Sequence, residues 1–472
     1  MNIRHGVVYG ICSLIIFSGK LPAQEFIGLR TDNYAGSNGM LLNPAAPIAG
    51  RLPWDVNILA FGACEDNNYI SIPAPFISYV TTYDSIVKNI QYFNPKQVYG
   101  HGQVLAQLPS AFISNGDFAG GIFFTARSAG YFLADKHPPQ TTGLKNIPLY
   151  TPTDMPAFNA GIMIWTEMGL NGEMTLENNS VFGLQAGVNL KYLMGFEALG
   201  FENNTLFTFT KDTVNMNISH FDTDFDYTKN LGSNLLYDPS NYALNGSGFG
   251  IDVGVFYELH KRSKFTYSKK LNYTWKIGAS IVDLGYIKFS KNSGSYHLEE
   301  TDPFMESLVV LDSIDDIDEF NRTGSRLLYD LSSASKDASY FTMMLPAAIV
   351  VSADRNLGHY FFAQALIVRR IPRFGTNLVA RANTFNITPR YETRELAFFL
   401  PLSLYEDKEF RFGLAARLWF VTIGSDNLLT WMSQKDYSSV NLYFGVKLNP
   451  YWLVAENKKK ALECLKNISN KK

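Results

Sequence analysis

The residues that could do chemistry in this 472-residue chain are not arranged in any common catalytic motif. There is no G-x-S-x-G turn, no H-E-x-x-H metal motif and no phosphate-binding loop. The seven histidines are scattered, and the three cysteines lack metal-ligand spacing. Because a catalytic triad is defined by geometry and not by sequence order, a Ser-His hydrolase remains a minor alternative. The sequence therefore predicts no enzyme activity, no cofactor and no metal site.

The densest run of carboxylates, residues 312–319, is the one candidate for calcium binding. It lacks the D-x-D-x-D-G-x5-E order of a calcium loop. We interpret it instead as part of a solvated helix, with Phe304, Leu308 and Leu311 on one apolar face.

The most regularly spaced polar side chains lie in residues 182–195, FGLQAGVNLKYLMG. The even-numbered positions are apolar. The odd-numbered positions carry Gln185, Asn189 and Lys191 among glycines, and only Leu193 breaks this polar series. A β-strand places successive side chains on opposite faces. This stretch therefore predicts a strand with one face towards lipid or a core and the other face towards water.

The same alternation recurs in 54–64, 69–80, 103–114, 118–133, 158–170, 206–210, 214–219, 249–260, 275–281, 341–353, 359–368, 386–393, 396–405, 410–424 and 440–448. Single-chain bacterial barrels have an even number of strands, so we predict about 14. The predicted fold is all-β. It is a transmembrane antiparallel β-barrel with a small N-terminal plug, short amphipathic helices such as 84–93, and a C-terminal periplasmic tail. Residues 222–246 and 290–340 are predicted to be long loops.

The polar faces of these strands should point into the barrel. The predicted lumen-lining residues are Gln185, Asn189, Lys191, Asp252, Glu258 and Lys276. They would line a permeation path or, as we favour, form a solvated or salt-bridged interior.

Eight arginines cluster in the C-terminal third: Arg369, Arg370, Arg373, Arg381, Arg390, Arg394, Arg411 and Arg417. They would attract anions or an acidic partner. We favour pairing with lumen carboxylates, because unpaired buried charges are costly.

The composition supports a membrane barrel. The chain is 46% hydrophobic and 14% aromatic, yet its mean hydropathy is only -0.06. A barrel keeps its mean hydropathy low because half of each strand faces water. The net charge of -2 lacks the basic character that nucleic-acid binding requires. The partners expected from composition are therefore outer-membrane lipids, and not nucleic acid.

The chain divides into four predicted parts. Residues 1–23 have the charge and apolar run of a secretory signal peptide, so the mature protein should be exported. Residues 24–53 form a plug, 54–450 the barrel and 451–472 a basic tail. Cys64 and Cys464 would remain in an oxidising compartment, but the sequence does not indicate whether they pair.

The plug contains Asn43, Pro44 and Ala45 between two apolar patches. This Asn-Pro-Ala turn is either a hinge near a substrate path or, as we favour, a turn that closes the floor of the barrel. Leu41, Leu42 and Ile48 need burial, so the plug should fold against or inside the barrel.

Several short motifs resemble those of FadL-like outer-membrane barrels. They are LLNPAAP at 41–47, QLPSAF at 107–112, GASIVDLG at 278–285 and LPAAIVVSADRNLG at 345–358. Residues 411–428, RFGLAARLWFVTIGSDNL, resemble the penultimate strand of uncharacterised Bacteroidota barrels related to the PorV and PorP/SprF proteins of type IX secretion and gliding. The basic tail departs from the fatty-acid transporters, and their ligand-gating segment is not recognisable.

The resemblance implies a non-enzymatic barrel in the outer membrane. The first expectation is an accessory or scaffold subunit of an envelope protein complex, with unidentified protein partners that contact its loops and tail. The alternative is a FadL-like passive transporter of small or hydrophobic molecules.

Overall fold

The computed structural model places most of the described residues in one large β-sheet that closes on itself. The described residues are 25–50, 52–73, 90–140, 147–229, 243–260, 273–302, 304–307, 317–372, 379–428, 436–437 and 439–450. The predicted signal peptide, the basic tail with Cys464 and most of the predicted helix at 84–93 lie outside these ranges.

The closed sheet is an antiparallel barrel of 14 strands, and the predicted fold class is confirmed. In chain order they are β1 (Trp54–Asn67), β2 (Val98–Gln107, continued by Ser110–Ser114), β3 (Phe118–Ala134), β4 (Phe158–Asn178), β5 (Phe182–Asn203), β6 (Gly246–His260), β7 (Tyr273–Phe289), β8 (Phe341–Met344, continued by Ala348–Gly358), β9 (Phe361–Arg370), β10 (Thr384–Glu392), β11 (Leu396–Phe399, continued by Leu402–Tyr405), β12 (Glu409–Phe412, continued by Leu414–Leu418), β13 (Val421–Ser425) and β14 (Ser439–Leu448).

The barrel closes where β1 pairs with β2 on one side and with β14 on the other. At the end of the barrel where β1 begins, the described connections are tight turns. We call it the short-turn end. In the turn between β2 and β3, the Asn115 side chain accepts the N–H groups of Asp117 and Phe118, and Gly116 has φ +98°. The opposite, long-loop end carries much longer connections, such as 135–157 and 204–245.

The outward face of the barrel is apolar and the inward face is polar. On β5, Leu190 and Tyr192 are 55% and 41% exposed, whereas Asn189 and Lys191 are almost fully buried. On β6, Phe249 is likewise exposed at 66%. A closed barrel pairs the backbone groups of its strands and can present such an apolar belt to lipid.

The plug, described at residues 25–50 and 52–53, occupies the lumen and contains two short helices. They are α1 (Ile27–Arg30) and the 3-10 helix Gly36–Leu41. All ten residues of these helices are buried. A plug of this size is needed because 14 strands enclose more space than wall side chains can fill.

The long-loop end carries additional strands. Phe221–Thr228, Ser293–Glu300 and Lys336–Ala338 extend the main sheet beyond the barrel. A four-stranded sheet contains Thr153–Met155, Phe207–Lys211, Asn215–Ile218 and Phe304–Ser307, and a three-stranded sheet contains Ile70–Pro73, Gln91–Tyr92 and Asp436–Tyr437. One further helix, α2 (Ile317–Tyr329), contacts Ser293–Glu300. None of the described helices is long and apolar enough to cross a membrane.

Three predicted strands lie outside the barrel. The run 69–80 supplies Ile70–Pro73 to the three-stranded sheet, and the runs 206–210 and 214–219 form part of the four-stranded sheet. Alternation indicates a strand but not the sheet that the strand joins. Conversely, the predicted strand 410–424 is two strands, β12 and β13, because the chain turns at Trp419 with φ 49°.

Two predicted loops and two predicted helices also differ from the structure. Residues 222–246 begin within a strand, Phe221–Thr228, and residues 290–340 contain three strands, Ser293–Glu300, Phe304–Ser307 and Lys336–Ala338, together with α2. The apolar helix face predicted near the acidic run is wrong at Phe304, which begins a strand, while Leu308 and Leu311 lie outside the described residues. Within the predicted helix 84–93, Gln91–Tyr92 is a short strand.

Candidate functional site

The site with the greatest concentration of buried polar groups is the interface between the plug and the lumen wall. The Asn-Pro-Ala turn of the plug lies directly on β6 and β7. Asn43 Nδ2 donates to the carbonyl oxygens of Val255 (3.2 Å) and Ala279 (3.4 Å). Asn43 Oδ1 accepts the N–H of Ala45 at 3.0 Å, which closes the turn. The turn therefore satisfies its own backbone while it binds the wall.

Two wall glycines make room for this turn. A Cβ at Gly254 would lie 2.2 Å from Asn43 Oδ1, and a Cβ at Gly187 would lie 2.5 Å from the carbonyl of Pro44. Asn171 of β4 donates to the same Pro44 carbonyl at 2.9 Å. A side chain at either glycine would push the turn off the wall, so these positions require the smallest residue.

The centre of the lumen holds a cluster of charges around Asp283. We define the Asp283 cluster as Asp283, Arg127, Lys191 and Arg381. The Asp283 carboxylate lies 2.9 Å from Arg127, 2.7 Å from Lys191 and 2.7 Å from Arg381, and all four side chains are buried. Such charges avoid the cost of burial only when they are paired and hydrogen-bonded.

A second layer of the network connects the Asp283 cluster to the plug. Lys191 also contacts Asp252 at 2.8 Å, and Asp252 accepts a hydrogen bond from Asn189 at 2.8 Å. The same Asn189 amide donates to the plug carbonyl of Met40 at 3.0 Å. Arg381 reaches Glu25 of the plug at 3.4 Å. Charges of the wall and groups of the plug therefore form one continuous network.

Other wall cations bind the plug directly. Lys276 donates to Asn33 Oδ1 at 2.7 Å, and Arg417 donates to Asp32 at 2.7 Å. Lys447 donates to the carbonyl of Ala35 at 2.8 Å. Because these contacts are distributed over β7, β12 and β14, the plug is held on several sides of the lumen.

Arg30 of the plug has fewer hydrogen-bond partners than the wall cations described above. Arg30 is buried and its Nη2 atom has no hydrogen-bond partner, although its guanidinium stacks over the Phe26 ring at 4.7 Å. Burial lowers the pKa of Arg30 to about 10, and the Glu25 carboxylate opposes this decrease. Arg30 therefore stays charged at neutral pH.

The structure places all six predicted lumen residues on the inward face, and all six are buried. Asn189, Lys191, Asp252 and Lys276 belong to the network described above. Gln185 and Glu258 lie nearer the short-turn end, at diagonal positions: Gln185 is opposite Phe256 and Glu258 is opposite Gly183. That any of the six lines a permeation path stays a prediction.

The described members of the predicted arginine series divide among three places. Arg381, Arg390, Arg411 and Arg417 are buried in the lumen and contact carboxylates. Arg369 and Arg370 pair with Asp407 and Glu406 at the long-loop end. Arg394 is near the short-turn end, and Arg373 lies outside the described residues.

Part of the lumen wall is apolar instead of charged. We call it the apolar sector: Leu105, Phe112, Phe123, Phe399 and Tyr443. It packs against Phe26, Leu29 and Met40 of the plug. The gap beside α1 that is lined by Leu105, Phe26 and Leu29 is too small to hold a water molecule. The plug therefore closes this sector tightly.

Sequence reasoning missed the main residues of this network, namely Arg127 and Asp283 in the wall and Asp32 in the plug. It also missed Glu167 of β4, which pairs with Arg127 at 2.8 Å. Asp283 lies in the GASIVDLG motif, whose aspartate had no assigned role. Arg127 occupies an inward position of β3. The alternation of buried and exposed positions along this strand is the signal that could have identified Arg127 as inward-facing.

The comparisons with known proteins place this site in a family. Residues 44–426 match the model of a family of unknown function, DUF5723. The chain belongs to this family. The matched region begins with Pro44 of the Asn-Pro-Ala turn and covers the barrel up to Asp426. No curated protein sequence matches the chain.

Some solved outer-membrane barrels resemble this DUF5723 member at low identity. A FadL homologue from Pseudomonas aeruginosa is 10% identical, with a TM-score of 0.28 over 90% of this chain and 95% of the homologue. A deletion mutant of TodX, a monoaromatic hydrocarbon channel, is 10% identical, with a TM-score of 0.32 over 91% and 99%. The ferric yersiniabactin uptake receptor FyuA from Yersinia pestis is 9% identical, with a TM-score of 0.24. The alignment covers 79% of this chain and only 49% of that receptor. These likenesses are too distant to support a function.

Proposed function

We propose that the protein is an outer-membrane barrel that admits small hydrophobic molecules when its plug moves. Its closed antiparallel wall and apolar outer belt suit a bilayer, and single-chain barrels of this kind occur in the outer membrane. The tight turns would face the periplasm and the long loops the exterior.

The observation that carries the proposal is the apolar sector. Most of the lumen is charged, yet this sector presents aromatic and aliphatic side chains to the plug. If α1 moves away, the sector becomes an apolar surface along the inside of the barrel. Small hydrophobic molecules would gain about 25 cal/mol for each Å² of apolar surface that they bury there.

The plug is suited to such movement. Its ion pairs and hydrogen bonds to the wall are non-covalent, and the plug joins the wall through residues 52–53 at the start of β1. The described state is closed beside α1, so passage requires a change in the plug. The wall itself can stay intact while the plug moves.

A disulfide between plug and wall tests the proposal. A Cβ at Gly28 of α1 would lie 2.6 Å from Ala415 Cβ on β12, so a small outward shift of α1 gives the roughly 3.8 Å Cβ separation of a disulfide. The double variant Gly28→Cys/Ala415→Cys is inserted into liposomes, and entry of a fluorescent hydrophobic solute is measured after oxidation and after reduction.

We expect oxidation to abolish solute entry and reduction to restore it. Each single cysteine variant, treated identically, serves as the control. Equal entry in the oxidised and reduced double variant, or no entry through the wild-type protein, would overturn the proposal.

A second candidate function is that of an accessory barrel for an envelope protein complex, with unidentified partner proteins. The two small sheets and α2 at the long-loop end favour it, because they give this end a large folded surface. Cross-linking of intact cells followed by mass spectrometry tests it. A partner recovered in constant ratio supports this function, and recovery of the barrel alone contradicts it.

A further inference from the structure

A group of metal-ligating side chains lies outside the lumen network, at the long-loop end. There the strand Phe221–Thr228 pairs with the long-loop end of β5 on one side and with Ser293–Glu300 on the other. This pairing places Asp224 opposite both Glu202 and His297, and Asp222 opposite Glu299. Three strands therefore bring one imidazole and four carboxylates to one area.

These side chains share one face of the extended sheet. They alternate with Thr223, Phe225 and Leu298, which are buried on the opposite face. Asp222, Asp224 and His297 remain partly accessible, with about a third of each side chain exposed. Ions from the external solution can therefore reach them, while their backbone is fixed by the sheet.

The distances within the group fit a small cation. His297 Nδ1 lies 2.9 Å from Asp224 Oδ1 and 3.9 Å from Asp222 Oδ1. One ligand atom from each of Asp222, Asp224 and His297 lies within 4.8 Å of the others. Ligand atoms that share a zinc ion at roughly 2.0–2.2 Å are about 3–4 Å apart, so small side-chain rotations suffice.

The charge of the group also favours a cation. In the described part of the chain, the ion pairs of Asp222 and Asp224 involve His297 and neither lysine nor arginine. The Asn204 amide donates to Asp222 Oδ1 at 3.0 Å and to Asp224 Oδ2 at 2.8 Å. The N–H groups of Asn204 thus bridge two carboxylates, as a metal ion would.

Glu202 of β5 adds one more carboxylate beside this group. It lies opposite Asp224, is half-buried and hydrogen-bonds with Asn159, while its covered Oε2 atom has no hydrogen-bond partner. A buried carboxylate oxygen beside another carboxylate is costly unless a cation or a donor reaches it. Asn204 can also rotate its amide, which would present its carbonyl oxygen to an ion bound between the two aspartates.

We propose that Asp222, Asp224 and His297 form a binding site for a divalent transition-metal ion such as zinc. An imidazole nitrogen combined with carboxylate oxygens suits zinc, whereas calcium and magnesium prefer sites made of oxygen alone. The ion would link Phe221–Thr228 to Ser293–Glu300, and so fix the entrance of the barrel.

The test uses the full-length barrel, folded in detergent and purified without a histidine tag. Zinc is titrated in competition with a chromogenic chelator, and the thermal midpoint is recorded with zinc and with EDTA. His297→Asn and Asp224→Asn remove ligands with little change in shape. His220→Asn is the matched control, because His220 is an exposed histidine one residue before the same strand.

We expect one zinc ion per chain and a higher thermal midpoint with zinc. Each ligand variant should bind zinc at least about tenfold more weakly and lose the stabilisation. Loss of a residue that only supports a metal ligand already lowers metal affinity about 10–100-fold, and these variants remove the ligand itself. His220→Asn should resemble the wild type. Heat-modifiable mobility in gels confirms that each variant is a folded barrel. Unchanged zinc affinity in His297→Asn, or an equal loss in His220→Asn, would overturn the site.

Discussion

At the scale of single residues, Asp283 organises the lumen. It has φ 58°, a conformation in the left-handed region that aspartate tolerates better than most residues. Its N–H donates to Asp252 at 2.6 Å, and its carboxylate contacts three cations from β3, β5 and the segment before β10. An unusual backbone conformation thus positions one acceptor for three charges.

Replacement of Asp283 should therefore destabilise the barrel strongly. Asp283→Asn keeps the size and the backbone preference but leaves three buried cations short of one negative charge. We expect the free energy of unfolding to fall by about 3 kcal/mol or more, as when one partner of a buried ion pair is removed. Urea unfolding in lipid vesicles, followed by tryptophan fluorescence, measures this change.

The control is Asp407→Asn. Asp407 pairs with Arg369 on the surface, where both side chains are almost half exposed. Such pairs contribute about 1 kcal/mol or less. If the two variants were equally stable, Asp283 would not have the central role assigned to it.

The sequence predicts which residues face the lumen but not which of them meet. Alternation identifies Lys191 and Asp252 as inward-facing, because it depends only on neighbouring positions. Arg127 and Asp283 are 156 positions apart, and their contact depends on the curvature of the barrel and the register of its strands. The same limit applies to Asp224 and His297, which meet through paired strands in the two segments predicted to be loops, 222–246 and 290–340.

At the scale of elements, the contact between the plug and the wall depends on glycines in β5 and β6. Gly187→Ala would place a Cβ against the backbone of Pro44, which cannot rotate away. We expect the free energy of unfolding to decrease by about 1–3 kcal/mol, as for other overpacked interiors. We also expect faster tryptic cleavage after Arg30, which is buried while the plug is in place.

Gly172→Ala is the matched control for this prediction. Gly172 lies in β4, and an added Cβ there meets no atom within 4 Å. The variant should resemble the wild type in urea unfolding and in proteolysis. Equal proteolysis of the Gly187 and Gly172 variants would show that the Asn-Pro-Ala turn does not depend on close contact with β5.

The errors at this scale have two physical causes. A hairpin outside the barrel, such as Phe207–Lys211 with Asn215–Ile218, buries one face just as a barrel strand does, so its alternation is the same. The turn at 419–420 contains Trp and Phe in place of glycine, proline or asparagine, and it therefore gives no turn signal. Three runs lie outside the barrel and one run is two strands, so the predicted number of 14 follows from the even strand number of such barrels and not from the assignment of each run.

At the scale of the whole molecule, the apolar belt and the additional sheets occupy different environments. The belt residues Leu190 and Phe249 lie on the barrel wall and are exposed. Val214 is similarly exposed, at 58%, but lies in the connection between two strands of the four-stranded sheet. Exposure alone therefore does not distinguish lipid from water, whereas position along the barrel axis does.

Fluorescence quenching in bilayers separates the two environments. A bimane label is attached to a single cysteine at Leu190, at Phe249 or at Val214, in a background in which Cys12, Cys64 and Cys464 are replaced by alanine, and lipids brominated in the acyl chain are used as quenchers. We expect strong quenching for Leu190→Cys and Phe249→Cys, because their side chains point into the hydrocarbon layer, and weak quenching for Val214→Cys, because its sheet lies in water. Aqueous iodide should give the opposite order. Strong lipid quenching at Val214 would place the long-loop sheets in the membrane and would contradict the barrel axis and belt described above.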